Sequence, residues 1–312
     1  RAEPRLGGVF CVYIKNKQRQ PMDMTRRALD LQATTLMVLL CLTWSLAQIV
    51  LKYTAADMAP TLQIALRSGG AAVLTYLLVR WRKMPVFTVA GAWKPGLLVG
   101  ALFAGEFFLL GEALRYTTAS HVSIFLYSAP LFAALGLHFF SPEERLNRLQ
   151  WLGIIVAFSG IAISFLGRDG TYNTLESPNM LLGDALAILG GMFWGATTVV
   201  VRGSRLKNAT ATETLFYQLI AAFVILGVGA MGMGQTDIHW STRLVGSLIF
   251  QVVLVSFVSL LIWFWLLRHY LASRLGVLSF MSPLFGVILG VWLLNEKIDQ
   301  SFVIGALCGV FY

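Results

Sequence analysis

Apolar residues run along this chain in stretches of about twenty, each closed by a short polar or charged link, and that length lets a helix cross a hydrocarbon core of about 30 Å. The stretches predict ten spanning helices, over residues 31–51, 61–81, 94–114, 118–140, 149–167, 180–202, 213–233, 242–267, 273–294 and a last one from 300. The last has about twelve residues before Tyr312, which at helical rise cover about 18 Å, so the tenth helix is expected to be truncated in this sequence. Residues 1–21 are polar and basic and start with Arg1. They read as a leader ahead of Met22 or Met24, with 1–29 as an N-terminal tail. The first apolar run is too long, and too poor in a small-residue cleavage site, to be a removable signal peptide.

The pattern is doubled. Leu114, Arg115, Ala119, Ser120, Pro130, Leu131 and Phe132 recur at one offset as Leu267, Arg268, Ala272, Ser273, Pro283, Leu284 and Phe285. Glu144-Arg145-Leu146 followed by Gly153 is echoed by Glu296-Lys297-Ile298 followed by Gly305, and Trp44 precedes Lys52 as Trp194 precedes Arg202. Arg67 falls where the second copy has Gln218. Repeats this long describe half a protein each rather than a solenoid unit. The expected organisation is a first five-helix repeat over 30–167, a polar linker over 168–179 and a second repeat over 180–312. Five is odd, so the second repeat enters the membrane upside down relative to the first. The expected fold class is an all-α membrane protein of two inverted repeats.

Composition agrees, with 57% hydrophobic and 12% charged residues against about 25% charged for a soluble domain. A net charge of +9 would suit a nucleic-acid partner, yet the basic residues form no stripe with interleaved aromatics. Eighteen lysines and arginines fall in the tail and alternate links, and five in the others. That bias puts the N-terminus in the cytoplasm of a multi-pass plasma (inner) membrane protein. Cys11, Cys41 and Cys308 lie far apart and give neither a disulfide framework nor metal-ligand spacing. The short links leave no room for a soluble catalytic domain. HExxH, GxxxxGK[ST], CxxC and Gly-x-Ser-x-Gly are missing from the sequence. Without a nucleotide-binding loop, uphill movement of a solute must draw on an ion gradient. One inward proton gains about 2.3 kcal/mol per 100 mV, more than the about 1.4 kcal/mol of a tenfold gradient of neutral solute.

Leu114-Arg115-Tyr116-Thr117-Thr118-Ala119-Ser120, then Pro130, Glu144-Arg145-Leu146 and Gly153, with their echo in the second half, resemble the drug/metabolite transporter superfamily, specifically the EamA-domain transporters. Arg67 in ALRSGGA resembles the arginine of that family's second helix. The resemblance covers about residues 30 to 312. It implies two inverted five-helix repeats around a central cavity and secondary transport, commonly export, of small metabolites or drugs. No cofactor or metal is implied; the partners are a small-molecule substrate and the lipid bilayer, with a homodimer left open. The truncated tenth span, the leader and two glutamates in the third span depart from the family's pattern. An uncoupled facilitator of the same fold remains an alternative, as does an intramembrane lipid-modifying enzyme using Glu106, Glu112 and His121 as acid and base.

Polar groups inside spans are costly unless they face protein or water, and inverted repeats put a site where the halves meet near the midplane. Arg67 lies about 10 Å and Glu106 about 12 Å below the outer boundary at helical rise. They can therefore meet as an ion pair, either lining the cavity and answering to substrate or protons, or locking two helices permanently. Glu112 stands three residues before Arg115 and suits a local surface pair. His121 could sense protons or simply sit at the interface. Trp44 and Gln48 share a helix face, as do Trp194 and Thr198. Aromatic walls of this kind suit amphipathic or cationic solutes, and also serve for packing or anchoring. Tyr127, Gln218, Gln251 and Trp263 are further cavity candidates. Pro130 and Pro283 lie inside their spans, where each frees a backbone carbonyl and makes a hinge or a static kink. Glycine pairs such as Gly69-Gly70 and Gly190-Gly191 allow close helix approach.

Overall fold

Short polar residues at the head of an apolar run can cap the orphan amides of a helix start, and such caps open five of the helices here. The computed structural model describes residues 30–84, 87, 89–140, 146–166, 179–270, 275, 278–279 and 281–296. Asp30 Oδ1 accepts the amide of Ala33 at 2.8 Å and opens α1 (Leu31–Tyr53). Pro60, whose missing N–H has no intrahelical partner at that position, starts α2 (Pro60–Arg82). At the end of α3 (Trp93–Tyr116), Lys52 Nζ donates to the carbonyls of Leu114 and Thr117 at 2.6 and 2.9 Å. This sets a cation at the negative end of the helix dipole.

Thr118 caps α4 (Ala119–Leu126), which is followed by α5 (Ala129–Phe140) and α6 (Arg148–Leu166). Asn179 opens α7 (Met180–Gly203). Thr210, with Glu213 three residues on as a capping box would have it, opens α8 (Ala211–Gly232). Ser241 opens α9 (Thr242–Ile249). That helix runs directly into a π-helical segment, Phe250–Val258, and then α10 (Ser259–His269). The last described helix is α11 (Met281–Leu294).

Among the described residues, seven helical stretches are long and apolar enough to cross a membrane, and two shorter apolar ones lie within α6 and at α11. The tail over 1–29, the linker from 168 to 178 and the expected tenth helix lie outside the described residues.

Two expected spans differ from uninterrupted helices. The stretch 118–140 breaks at Tyr127 and Ser128, where Ser128 returns both its amide and its Oγ to the carbonyl of Phe125, at 3.1 and 2.6 Å. Pro130 therefore occupies the second position of α5, in a first turn that needs no amide from it. It does not free a carbonyl inside a continuous helix. A Cβ on Gly191 would stand 2.5 Å from Ser128 Oγ and 2.9 Å from the Leu126 carbonyl oxygen, so α7 rests its bare backbone directly on the break. Pro283 lies in α11, just past residues 278 and 279, which are helical as well. The second difference is the π segment, which replaces the middle of the expected span 242–267.

Packing joins the two halves throughout. α3 lies against α7 and α8, α2 against α8 and the π segment, α1 against α11, and α4 against α11 and α7. Exchanging the halves carries the α1–α11 contact onto the contact of α7 with α4 and α5, and the α3–α8 contact onto that of the π segment with α2. The largest buried core draws Ile49 and Leu51 of α1, Ile64 of α2, Leu110 of α3, Phe125 of α4, Ala187 of α7 and Leu226 of α8 into one cluster.

Candidate functional site

Arg67, on the eighth residue of α2, is 5% exposed and points its guanidinium over the face of Phe107 of α3, 4.7 Å from the ring centroid. Its Nη1 donates to Gln251 Oε1 at 2.7 Å, and Gln251 Nε2 in turn donates to the Ala47 carbonyl of α1 at 3.2 Å. Gln251 is the second residue of the π segment, so three elements from both halves converge on one arginine. The Nε of Arg67 is buried without a hydrogen-bond partner.

Glu106, one position before Phe107, is also 5% exposed. Arg67 and Glu106 interact through space, yet among the described residues Glu106 accepts no hydrogen bond and forms no contact ion pair. Both reach the same interior, but Arg67 is turned onto Gln251 and the Phe107 ring.

Two aromatic pairs flank this region. Trp44 meets Trp263 edge-on at 5.6 Å and donates from Nε1 to Ser259 Oγ at 3.0 Å. Tyr127, at the break after α4, meets Trp194 edge-on at 5.3 Å. Gln48 accepts from Ser123 Oγ at 2.7 Å, which ties α1 to α4. Gln218 is half-buried and makes no hydrogen bond among the described residues, so it stays outside the cluster although it is the repeat counterpart of Arg67.

His121 belongs to a separate cluster. Its Nδ1 lies 3.0 and 3.1 Å from the two carboxylate oxygens of Asp184, and Thr117 Oγ1 donates to Asp184 Oδ1 at 2.7 Å. Asp184, in the second turn of α7, is a residue that sequence reasoning missed. The signal was there, an acid inside an apolar run, the same one that singled out Glu106. Glu112 pairs with Arg115 at 2.7 Å, as their spacing implies, and also accepts from Thr61 and Gln235.

The repeated Ala-Ser and Glu motifs meet in space. Glu296 accepts the amides of Ala119 and Ser120 at 2.7 and 3.0 Å, and the Ser120 hydroxyl as well, so a carboxylate from the second half caps α4 of the first. Beneath it Gly290 faces Ser120 and Gly286 faces Ser123, each so closely that a Cβ would collide.

A family model described as the EamA-like transporter family matches residues 31–166 and again 181–311. "Uncharacterized transporter YoaV" of Bacillus subtilis (strain 168) is 22% identical over 274 residues, covering 86% of this chain and 92% of its own. "Probable amino-acid metabolite efflux pump" of Escherichia coli (strain K12) is 24% identical over 282 residues, covering 87% and 90%. A solved crystal structure shares the fold with a TM-score of 0.65 at 17% identity, over 90% of this chain and 94% of that one. The apolar helices, the doubled motifs and the twofold match agree: the chain is a multi-pass membrane protein and belongs to the EamA-like transporter family.

Proposed function

We propose that this chain is a secondary transporter of the plasma membrane that exports a small zwitterionic solute of the amino-acid kind from the cytoplasm. One observation carries the reading: Arg67 and Glu106 are opposite charges buried alike, no contact ion pair joins them among the described residues, and the Nε of Arg67 is left without a partner. Charges left so are costly in an apolar interior. A solute that brings a carboxylate to Arg67 and an ammonium to Glu106 offsets both costs at once, while Phe107, Tyr127 and Trp194 offer its side chain an aromatic wall. Relatives named as amino-acid metabolite efflux pumps support this substrate class.

Alternating access follows if the repeats over 30–167 and 180–312, joined through 168–179, are inverted, with the N-terminus in the cytoplasm. The exchange of helix contacts between halves supports the inversion. The capped seam between α4 and α11 supports a state closed at that end, with rearrangements at Pro130 and Pro283 serving the switch. Cavity residues then include Trp44, Gln48, Gln251 and Trp263 beside the central pair, with Gln218 entering only on rearrangement.

Proton coupling runs through Glu106, which takes a proton when the ammonium leaves. A second reading gives the proton to His121, because Asp184 faces it across a buried contact. A thermal-shift screen of amino acids, polyamines and cationic drugs on purified protein tests the substrate class. Amino acids are expected to stabilise most, and Arg67→Gln and Glu106→Gln to weaken both the shift and counterflow in liposomes about 10- to 100-fold. Equal stabilisation by cations that lack a carboxylate, retained in Arg67→Gln, sinks the zwitterion reading. Counterflow that ignores an imposed pH gradient leaves the facilitator.

A further inference from the structure

Where α2 ends and α8 begins, away from the residues above, an open cleft of about 350 Å³ separates the two helices. Its walls are mostly carbon, from Tyr76 and Met84 on one side and Phe216 on the other, while Arg80 and Lys83 stand among them at the helix end. Phe87 lies over the cleft, its ring edge-on to Phe216 and Tyr217 at 6.2 and 5.6 Å. Both Lys83 and Phe87 hold left-handed backbone, with φ of 49° and 58°, a conformation that L side chains adopt at a cost. Tyr76 and Phe87 remain 52% and 54% exposed, so this apolar surface is left uncovered among the described residues. No acidic residue lines the cleft among the described residues.

We infer that this cleft is a binding site for one anionic phospholipid, its phosphate held by Arg80 and Lys83 and its acyl chains laid along Tyr76 and Phe216. The two halves of the surface demand the two halves of such a molecule. A soluble anion has no use for the aromatic walls, and a lipid without net charge has none for two cations and no acid. Aromatic rings beside basic residues at a span end are placed at headgroup depth, and basic pockets between spanning helices hold anionic headgroups. The inference depends on neither the transported solute nor the direction of transport.

Native mass spectrometry of the full chain, titrated with phosphatidylglycerol or phosphatidylcholine, tests it. Phosphatidylglycerol adducts are expected to persist on the wild type where phosphatidylcholine adducts do not. Arg80→Gln and Lys83→Gln should each weaken phosphatidylglycerol binding roughly fivefold, and Lys94→Gln, outside the cleft, should leave it unchanged. Arg80 and Lys83 are exposed, and an unchanged melting temperature in phosphatidylcholine alone would show that the variants fold. Equal retention of the two lipids, wild-type binding by the double variant, or displacement of the lipid by glycerol 3-phosphate at matched concentration would each overturn the inference. The last of these would assign the cations to a soluble phosphate.

Discussion

Arg67–Glu106 and His121–Asp184 are two buried polar pairs at 5% exposure or less, and they are built in opposite ways. Asp184 is saturated, with His121 and Thr117 both on its carboxylate. Glu106 accepts no hydrogen bond from Arg67, while that arginine keeps an unpartnered Nε. Burial is alike in both, so what separates the two pairs is how far their hydrogen-bonding capacity is met within the protein. A pair whose hydrogen bonds are met holds the fold together, whereas on the function proposed above Arg67 and Glu106 keep theirs for a solute that comes and goes.

The sharpest way to break this contrast is to remove one acid from each pair. Asp184→Ala leaves His121 and Thr117 buried without their acceptor and should cost about 3 kcal/mol or more of stability, read as a large drop in melting temperature of the purified protein. Glu106→Gln and Arg67→Gln should do the reverse. They lower transport of the stabilising amino acid about 10- to 100-fold, as expected from losing a hydrogen bond to a charged group, with the melting temperature unchanged or raised. If Glu106→Gln unfolds the protein and Asp184→Ala silences transport in a well-folded one, the assignment is inverted and His121 becomes the proton carrier.

Smaller effects sharpen the picture at the seam between the halves. Glu296→Ala removes a helix cap from α4 and should cost about 0.5–2 kcal/mol, and Gly290→Val should match or exceed it by forcing α4 and α11 apart at Ser120. Both are read as melting shifts, and a silent Glu296→Ala would show that the cap is not maintained in solution. The smallest effect is expected at Asp57, in the link between α1 and α2. Arg243, donating at 2.6 and 2.7 Å, and Ser241 hold its carboxyl down at about 2, below the usual carboxylate range. The charge on a group so depressed contributes stability above about pH 4, where the unfolded carboxyl is also ionised. That contribution fades as pH falls toward 2. The melting difference between wild type and Asp57→Asn should thus be steady near neutrality and shrink below pH 4.

Much of the helical layout was legible in the chain, because lipid-facing helices cannot hide their length or composition and the capping residues Asp30, Thr118, Thr210 and Ser241 stand where the runs begin. Arg67 and Glu106 were legible as charges out of place. Their partners were not. Depth along a helix follows from counting, but which side chain an arginine turns to depends on rotation about the helix axis and on packing between distant segments, and Gln251 comes from 184 positions away. The break at Tyr127 and Ser128 is signalled by Pro130 without being located by it, since the chain turns two to three residues earlier, where Gly191 makes room. No residue pattern explains why Phe250–Val258 takes π rather than α form.

That segment has a mechanical consequence. In a π-helix each amide reaches one residue further back than in an α-helix, so a one-residue slip into α register would turn everything beyond it by about 100° relative to everything before it. Gln251 lies at one end of the stretch and Trp263 beyond the other. A single rotary slip in one helix could thus swing the indole away from Trp44 while the amide keeps its grip on the guanidinium, so that one wall would move and the anchor would not.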